Sequence, residues 1–412
     1  MRKLRFFQRL SAGLLPLCAA LFGMVAYTAE TFPDRYYATQ PGDLPLHSGL
    51  FSSVATPLHE AQSTRAVMTD GESSEQASLL RLWGIFPVKE VTVRLTEQPT
   101  VLLGGTPFGI KLYTDGVLIV GLTEVDCIGG GSPAKAAGLR IGDTVLSVNG
   151  VSVSTNEEVA ALISRSGGQT LTLCVCRDGI SFEALLTPVR SEAEGTYKAG
   201  MWVRDSSAGI GTVTFYDEES GRLAGLGHAI CDADTGTALP ISGGELVPAS
   251  IFGIVRGVSG QAGELRGCFE SGTLGTLEAN LSTGIFGTVR RPPSAAERIP
   301  LAMKQQVVTG PARVRTTLKG QTPDWYDLEI IQIRYQDGSP TRNMVIRITD
   351  PRLLEQTGGI VQGMSGSPIV QNGQLVGAVT HVFVNDPTQG FAVFAEHMYL
   401  SMQELDTADE AA

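Results

Sequence analysis

The chain has 412 residues, 42% of them hydrophobic and 18% charged, which is enough for two folded domains and unlike the composition of a disordered protein. A formal net charge of −11 speaks against a nucleic-acid partner, which needs a basic face to neutralise phosphates. Membrane attachment would therefore come from a segment and not from a charged patch.

Such a segment opens the chain. Arg2, Lys3, Arg5 and Arg9 precede an apolar run from Leu10 to about Ala29. Basic residues before roughly 20 apolar ones predict a signal anchor over residues 1–30 that spans a bilayer with its N-terminus inside. Val25 to Glu30 makes a poor small-x-small cleavage site, which favours an uncleaved anchor over a removed signal peptide. Residues 31–79, rich in Ser, Thr, Pro and Gly without periodicity, predict a flexible spacer. Order is expected from Leu80, in a lead-in over 80–98 where Val91 to Leu95 alternates as a strand does.

Residues 99–190 read as a compact module. A glycine-rich loop, Gly104 to Gly109, runs into a strand; Gly116 to Gly121 is a second strand; Ser132 to Leu139 is a short helix with Pro133 in its first turn and Gly138 at its end. Arg140 to Gly150 then forms a strand ending in an Asn-Gly turn. In these residues the module resembles a PDZ domain. The resemblance implies a groove that takes a peptide as an extra strand, with Phe108, Gly109 and Ile110 in the loop that receives the terminal carboxylate and a helix from Asn156 to about Ser164 as one wall.

The remainder, 191–407, consists of short apolar stretches between turn signals and predicts an all-β barrel or sandwich. Six cysteines show no CxxC pair and no histidine at ligand spacing, so no metal or other cofactor is expected; Cys174 and Cys176, which share one face of a strand, read as small buried hydrophobes.

Chemistry concentrates at two places. Gly363-Met364-Ser365-Gly366-Ser367-Pro368, followed by Ile369-Val370, Asn372-Gly373 and Leu375 to Val379, is the local pattern of chymotrypsin-like peptidases. Ser365 is the candidate nucleophile, and the N–H groups of Gly363 and Ser365 are candidates for the oxyanion hole. Ser367 stands where the stricter pattern has glycine. Of the five histidines, His228 in Gly225-Leu226-Gly227-His228 is the leading candidate for the base and His381 the alternative. Asp350, Asp232, Asp234 and Asp386 are all candidate acids that spacing does not separate.

Taken together, the N-terminal segment, Gly84 to Val91, the PDZ-like module, Val203 to Thr212, Gly227-His228-Ala229, Gln362 to Pro368 and Thr380 to Pro387 resemble the SpoIVB peptidase family of endospore-forming Firmicutes. The resemblance implies a mainly β chain, with a PDZ domain followed by a chymotrypsin-like double β-barrel serine peptidase, and a catalytic set of His228, Asp350 and Ser365. It also implies a sporulation signalling endopeptidase, exported across the forespore inner membrane into the space facing the mother cell. Its expected partners are itself, through self-cleavage, a membrane-bound regulator of an intramembrane metalloprotease, peptide segments in the PDZ groove, and the membrane. A PDZ adaptor with a degenerate peptidase domain and an HtrA-like quality-control protease are the rival readings.

Overall fold

A computed structural model describes residues 19–20, 22–27, 29–30, 32–38, 44, 51–55, 75–127, 130–232, 235–293, 296–335 and 340–410. Among these, no helix is long and apolar enough to cross a membrane. Most of the expected anchor lies outside the described residues, although 22–27 and 29–30 are helical.

The first unit is a small sheet of β1 (Arg35–Ala38), β2 (Phe51–Ala55), β3 (Glu75–Leu82) and β4 (Phe86–Leu95), ordered β1-β4-β3-β2. It corrects the expectation of a spacer over 31–79: β1, β2 and the start of β3 fall inside that range, while 56–74 lie outside the described residues. The period-2 pattern explains it, because Leu80 of β3 and Val91 and Val93 of β4 turn to one face and are buried with Tyr36 and Ala38 of β1. Between β3 and β4, Trp83 (φ 53°) and Gly84 (φ 69°) are both left-handed, and Ile85 N–H donates to the Leu82 carbonyl at 3.1 Å. Leu82 stands opposite Phe86, so the hairpin closes through a three-residue loop, Trp83 to Ile85.

The chain next builds β5 (Thr100–Leu103) and β6 (Pro107–Leu122), crosses β7 (Thr144–Val148), β8 (Val151–Ser152), β9 (Leu171–Arg177), β10 (Ile180–Leu186), β11 (Val189–Arg190) and β12 (Tyr197–Lys198), and returns along β13 (Met201–Tyr216). β13 lies antiparallel to β6 along nearly its whole length, from Met201 opposite Leu122 to Thr212 opposite Pro107. At 16 residues each, about 50 Å of strand, both are long enough to serve two cores. Val117 and Ile119 of β6 pack with Val145, Leu173, Val175, Val159 and Ile163, which is the PDZ core. Phe108, Ile110 and Leu112 pack instead with Leu246 and Leu277 in a barrel.

Two expectations are corrected here. The PDZ module does not precede the peptidase: it is inserted into the peptidase's first barrel, so the expected boundaries 99–190 and 191–407 both shift. Phe108, Gly109 and Ile110 are also not in a peptide-binding loop. They lie inside β6, paired on one side with Gly209 to Gly211 and on the other with Leu246 to Pro248, with Phe108 and Ile110 buried. Gly109 is required because a Cβ there would come within 2.5 Å of the Phe269 ring.

β14 (Arg222–Gly225), β15 (Ile241–Val255), β16 (Glu264–Phe269), β17 (Gly275–Leu281) and β18 (Gly284–Val289) complete the first barrel. Pairing runs β6-β15-β17-β18-β14-β13 and closes from β13 back to β6; β16 flanks β15, and β19 (Arg298–Pro300) with β5 extends the sheet beyond β13. The second barrel, β20 (Gly310–Thr316), β21 (Asp324–Ile333), β22 (Met344–Ile348), β23 (Pro368–Gln371), β24 (Gln374–Phe383) and β25 (Asp386–Phe394), closes in the order β20-β21-β22-β25-β24-β23. The C-terminal helix Ala395–Glu410 joins the two: Met398 and Met402 pack with Ala224 and Phe286 of the first barrel and with Leu375, Ala378 and Val393 of the second. The fold is therefore mainly β, a double barrel carrying an inserted PDZ module.

Along β9, Leu171, Leu173 and Val175 take the buried face, so Cys174 and Cys176 fall on the half-buried one. Cys231 and Cys268 are exposed, and among the described residues all the cysteines are free thiols.

Candidate active site

β14 ends at Gly225, and Leu226 (φ 63°) and Gly227 (φ 71°) follow in left-handed conformations that turn the chain sharply into His228. The turn is tight against the second barrel, since a Cβ on Gly227 would stand 3.0 Å from both Thr380 Cγ2 and Val393 Cγ1. His228 Nδ1 lies 2.8 Å from the Ala229 carbonyl. Only a protonated Nδ1 can donate there, which leaves the Nε2 lone pair of the neutral ring free to accept a proton. Burial lowers the His228 pKa below the usual 6.5, with the Ala229 bond acting weakly the other way.

Ser365 arrives from the second barrel. Asp350 caps the helix Pro351–Thr357, which ends on the left-handed Gly358 and feeds an irregular loop. Ile360 N–H donates to Pro387 O, Gln362 N–H to Gly263 O, Met364 N–H to Val361 O and Gly366 N–H to Val379 O, so the loop is fixed residue by residue. Among the described residues, the N–H groups of Gly363 and Ser365 donate to no protein acceptor. Both residues are half-buried at the cleft, so these two donors are available to an oxyanion placed there. β13 braces the same loop from the first barrel: Thr212 N–H donates to Ser365 O and Thr212 Oγ1 to Gly363 O, both at 2.9 Å, and Thr214 Oγ1 donates to Gly366 O at 2.8 Å. Gly366 has no alternative, because a Cβ there would lie 2.0 Å from Thr212 O. Ser367, the departure from the glycine pattern, is fully buried with its hydroxyl donating to Thr316 Oγ1 at 2.9 Å. It is a structural substitution that keeps the turn.

Ser365 and His228 line one cleft of about 390 Å³ together with Gly363, His381 and the apolar side chains of Ile210, Leu226, Ile360, Val361 and Val382. Among the described residues, no carboxylate, lysine or arginine lines it. The Ser365 hydroxyl donates to the Thr380 carbonyl at 2.8 Å, so a rotation about χ1 is needed to aim it at an imidazole. The His381 ring sits 4.8 Å from that of His228, tilted by 37°. Its Nδ1 is buried without a partner, and burial, then His228, then Arg342 push its pKa down to about 4.

Asp350 is not brought to this pair. Its carboxylate accepts from Arg352 N–H and the Arg352 guanidinium and from Asp327 N–H, which hold its pKa below the usual range, with the guanidinium bond the largest influence. These contacts make it a helix cap and an ion pair, not the acceptor of a histidine N–H. Asp386 is occupied by Thr388 and Gln389, and Asp232 is buried against Arg204; Asp234 lies outside the described residues. The group that meets His228 Nδ1 is the Ala229 carbonyl, which no side-chain pattern could have revealed.

In the PDZ module a second cleft of about 420 Å³ lies between the helix Asn156–Arg165 and the start of β13, lined by Val159, Ala160, Ile163, Tyr197, Met201 and Trp202. The glycine-rich residues 104–109 take no part in it.

Residues 124–177 match the PDZ domain model and residues 195–399 the model described as SpoIVB peptidase S55, a range that holds both His228 and Ser365. A protein of Clostridium acetobutylicum described as a zinc metalloprotease is 27% identical over 108 residues, 25% of this chain and 32% of that protein, so the match spans about a third of that relative's length. Among solved structures, the active form of the Rv3671c protease of M. tuberculosis is similar at 17% identity and a TM-score of 0.26, over 48% of this chain and 74% of that one. The HtrA-type protease AlgW with a decapeptide is similar at 15% identity and a TM-score of 0.29, over 50% and 55%. The chain belongs to the SpoIVB peptidase family and is a serine endopeptidase that carries a PDZ domain.

Proposed function

We propose that Ser365 is the nucleophile and His228 the base of a signalling endopeptidase that acts during sporulation. The observation that carries the catalytic part is the meeting, in one apolar cleft, of the Ser365 hydroxyl, an imidazole whose Nδ1 is held by Ala229 O, and two backbone N–H groups without acceptors. Ser365 Oγ leaves Thr380 O, gives its proton to His228 Nε2 and bonds to the substrate carbonyl carbon. The carbonyl oxygen becomes an oxyanion held by the N–H groups of Gly363 and Ser365. On collapse the C–N bond breaks and the Nε2 proton leaves with the amine. Water, deprotonated by the same Nε2, then attacks the acyl-enzyme and frees Ser365 and a carboxylic acid. Throughout, Ala229 O accepts from Nδ1–H and favours the imidazolium, the part played elsewhere by an aspartate. A cleft with apolar walls supports peptides with an aliphatic residue before the cut.

In this reading the N-terminal segment holds the enzyme in the forespore inner membrane, and the enzyme first cuts itself free. It then cuts a membrane-bound regulator whose loss permits intramembrane maturation of the late mother-cell sigma factor. The family membership and the PDZ groove support this reading. The test is the full chain in wild-type, Ser365→Ala and His228→Ala forms, with N-terminal fragments followed by mass spectrometry. Processing is expected only in the wild type, with cuts after aliphatic residues; equal processing of all three refutes the assignment.

A further inference from the structure

The turn joining β3 and β4 exposes three large apolar side chains in succession: Trp83 at 50%, Ile85 at 71% and Phe86 at 39% of full exposure. A bulky residue at positive φ is uncommon, and such positions favour Gly or Asn. Here a tryptophan occupies the left-handed position, half exposed, with its ring edge-on to that of Phe86 at 6.3 Å. Of the flanking cations, Lys89 is paired with the Asp34 carboxylate and Arg81 is half-buried beside the tip.

The topology fixes which way this tip faces. β1 runs parallel to β4, with Arg35 opposite Thr92. Read backwards from Arg35, the chain therefore runs alongside β4 toward its first residue, Phe86. Asp34 O accepts from Thr92 N–H, the Asp34 carboxylate pairs with Lys89 at 2.7 Å, and Phe32 O accepts from Lys89 Nζ at 2.7 Å. Lys89 is three residues from Phe86, about 10 Å along the strand. The N-terminal run thus enters the sheet at the end that bears the tip. The helical residues just before it expose Phe22, Met24 and Tyr27. The chain that follows these residues therefore joins the sheet at the same end as the tip.

We propose that the Trp83–Phe86 hairpin tip is a membrane contact: its side chains sit at the headgroup and upper acyl level of an anionic bilayer, the same bilayer that the N-terminal run enters. The inference rests on the membrane placement given under Proposed function. Tryptophan belongs at that depth, with an apolar ring and an N–H that stays wet, and the half-buried Arg81 beside it suits anionic headgroups. A tip of three side chains is a weak, reversible anchor by itself. It would keep the peptidase on the membrane surface, where its substrate is, after the N-terminal segment has been cut.

The test uses the full chain with Ser365→Ala to prevent processing and with W202F and W325F, which leave Trp83 as the one tryptophan of three. It is reconstituted in phosphatidylethanolamine–phosphatidylglycerol vesicles with plain or brominated acyl chains. The expected result is blue-shifted Trp83 emission, quenched twofold or more by brominated lipid, and loss of the quenching on Ile85→Asp while the chain still resists carbonate extraction. Unquenched Trp83 in chains that resist extraction overturns the proposal, as it would if the tip met another protein, and leaves the anchor standing. Chains that carbonate removes overturn the anchor and the proposal with it. As a check free of the tryptophan replacements, the self-cleaved enzyme should sediment with these vesicles about tenfold more strongly than its Ile85→Asp form; equal sedimentation also overturns the proposal.

Discussion

Asp350 shows why a residue's sequence position and its role can part. Family resemblance made it the acid of the triad, yet its oxygens are taken up by Arg352 and by the N–H groups of Arg352 and Asp327. Asp350→Asn is therefore expected to lower stability by about 1 kcal/mol through the weakened cap and ion pair, read from the denaturant midpoint. Its activity should fall far less than the roughly 10⁴-fold loss expected for Ser365→Ala; a loss as large as that of Ser365→Ala would show that the aspartate reaches His228 during turnover. The histidines give a pH prediction with a definite sign. His228 must be neutral to accept a proton, and burial lowers its pKa, so the acid limb of kcat/KM should lie below pH 6.5. His381 binds a proton at 6.5 when unfolded but only near 4 when folded. The unfolded chain then holds more protons between those values, and stability drops as pH falls through that window. His381→Gln should flatten that loss, measured by urea unfolding at pH 7 and pH 5. The proposed pair, His228 and Ser365, could be picked out because a candidate nucleophile and base leave side chains in the sequence, framed by glycines that tight turns require. The Ala229 carbonyl was not, because a backbone acceptor carries no residue signature.

At the scale of elements, β13 is the strand that matters most. Its start lines the PDZ cleft through Met201 and Trp202, its middle lines the catalytic cleft through Gly209 and Ile210, and Thr212 and Thr214 near its end brace the loop of Ser365. Thr212→Val removes the hydroxyl that orients the Gly363 carbonyl and hence the neighbouring N–H groups. We expect kcat to fall about tenfold with KM little changed, as for loss of one hydrogen bond that positions an oxyanion donor; an unchanged kcat would separate Thr212 from the oxyanion loop. Glycines were also where the sequence misled. Gly104 and Gly109 looked like a carboxylate-binding loop, but a Cβ on Gly104 would lie 2.2 Å from Val213 O and one on Gly109 within 2.5 Å of Phe269. Close approach of strands and a ligand-binding loop make the same demand for a missing side chain, so composition does not separate them.

Over the whole molecule, the proposed catalysis depends on two barrels keeping their places, since His228 belongs to the first and Ser365 to the second. The C-terminal helix helps to hold them through Met398, which is fully buried between the two. Met398→Ala is expected to cost about 2–5 kcal/mol and to lower kcat even at temperatures where the protein remains folded, a combination that parallel melting and single-turnover measurements would detect. The all-β character and the presence of both domains were legible from short apolar runs and from the helix-turn pattern of the PDZ module. Their nesting was not, because local periodicity does not show that a strand continues past one core into another.

That nesting has a consequence for how the protein comes into being. The first barrel cannot close until β6 meets β13, and the PDZ module is synthesised between them. For an unstructured chain, joining ends so far apart would carry a large loop-closure entropy and slow folding. The PDZ module removes that barrier if it folds first, because its own core already clasps Val117 and Ile119 of β6 with Met201 and Val203 of β13. Once these ends are side by side, the two strands can zip toward Pro107 and Thr212. The inserted domain is then the template on which the peptidase barrel forms, and a lesion in the PDZ core would be felt first as a failure of the nascent peptidase to mature.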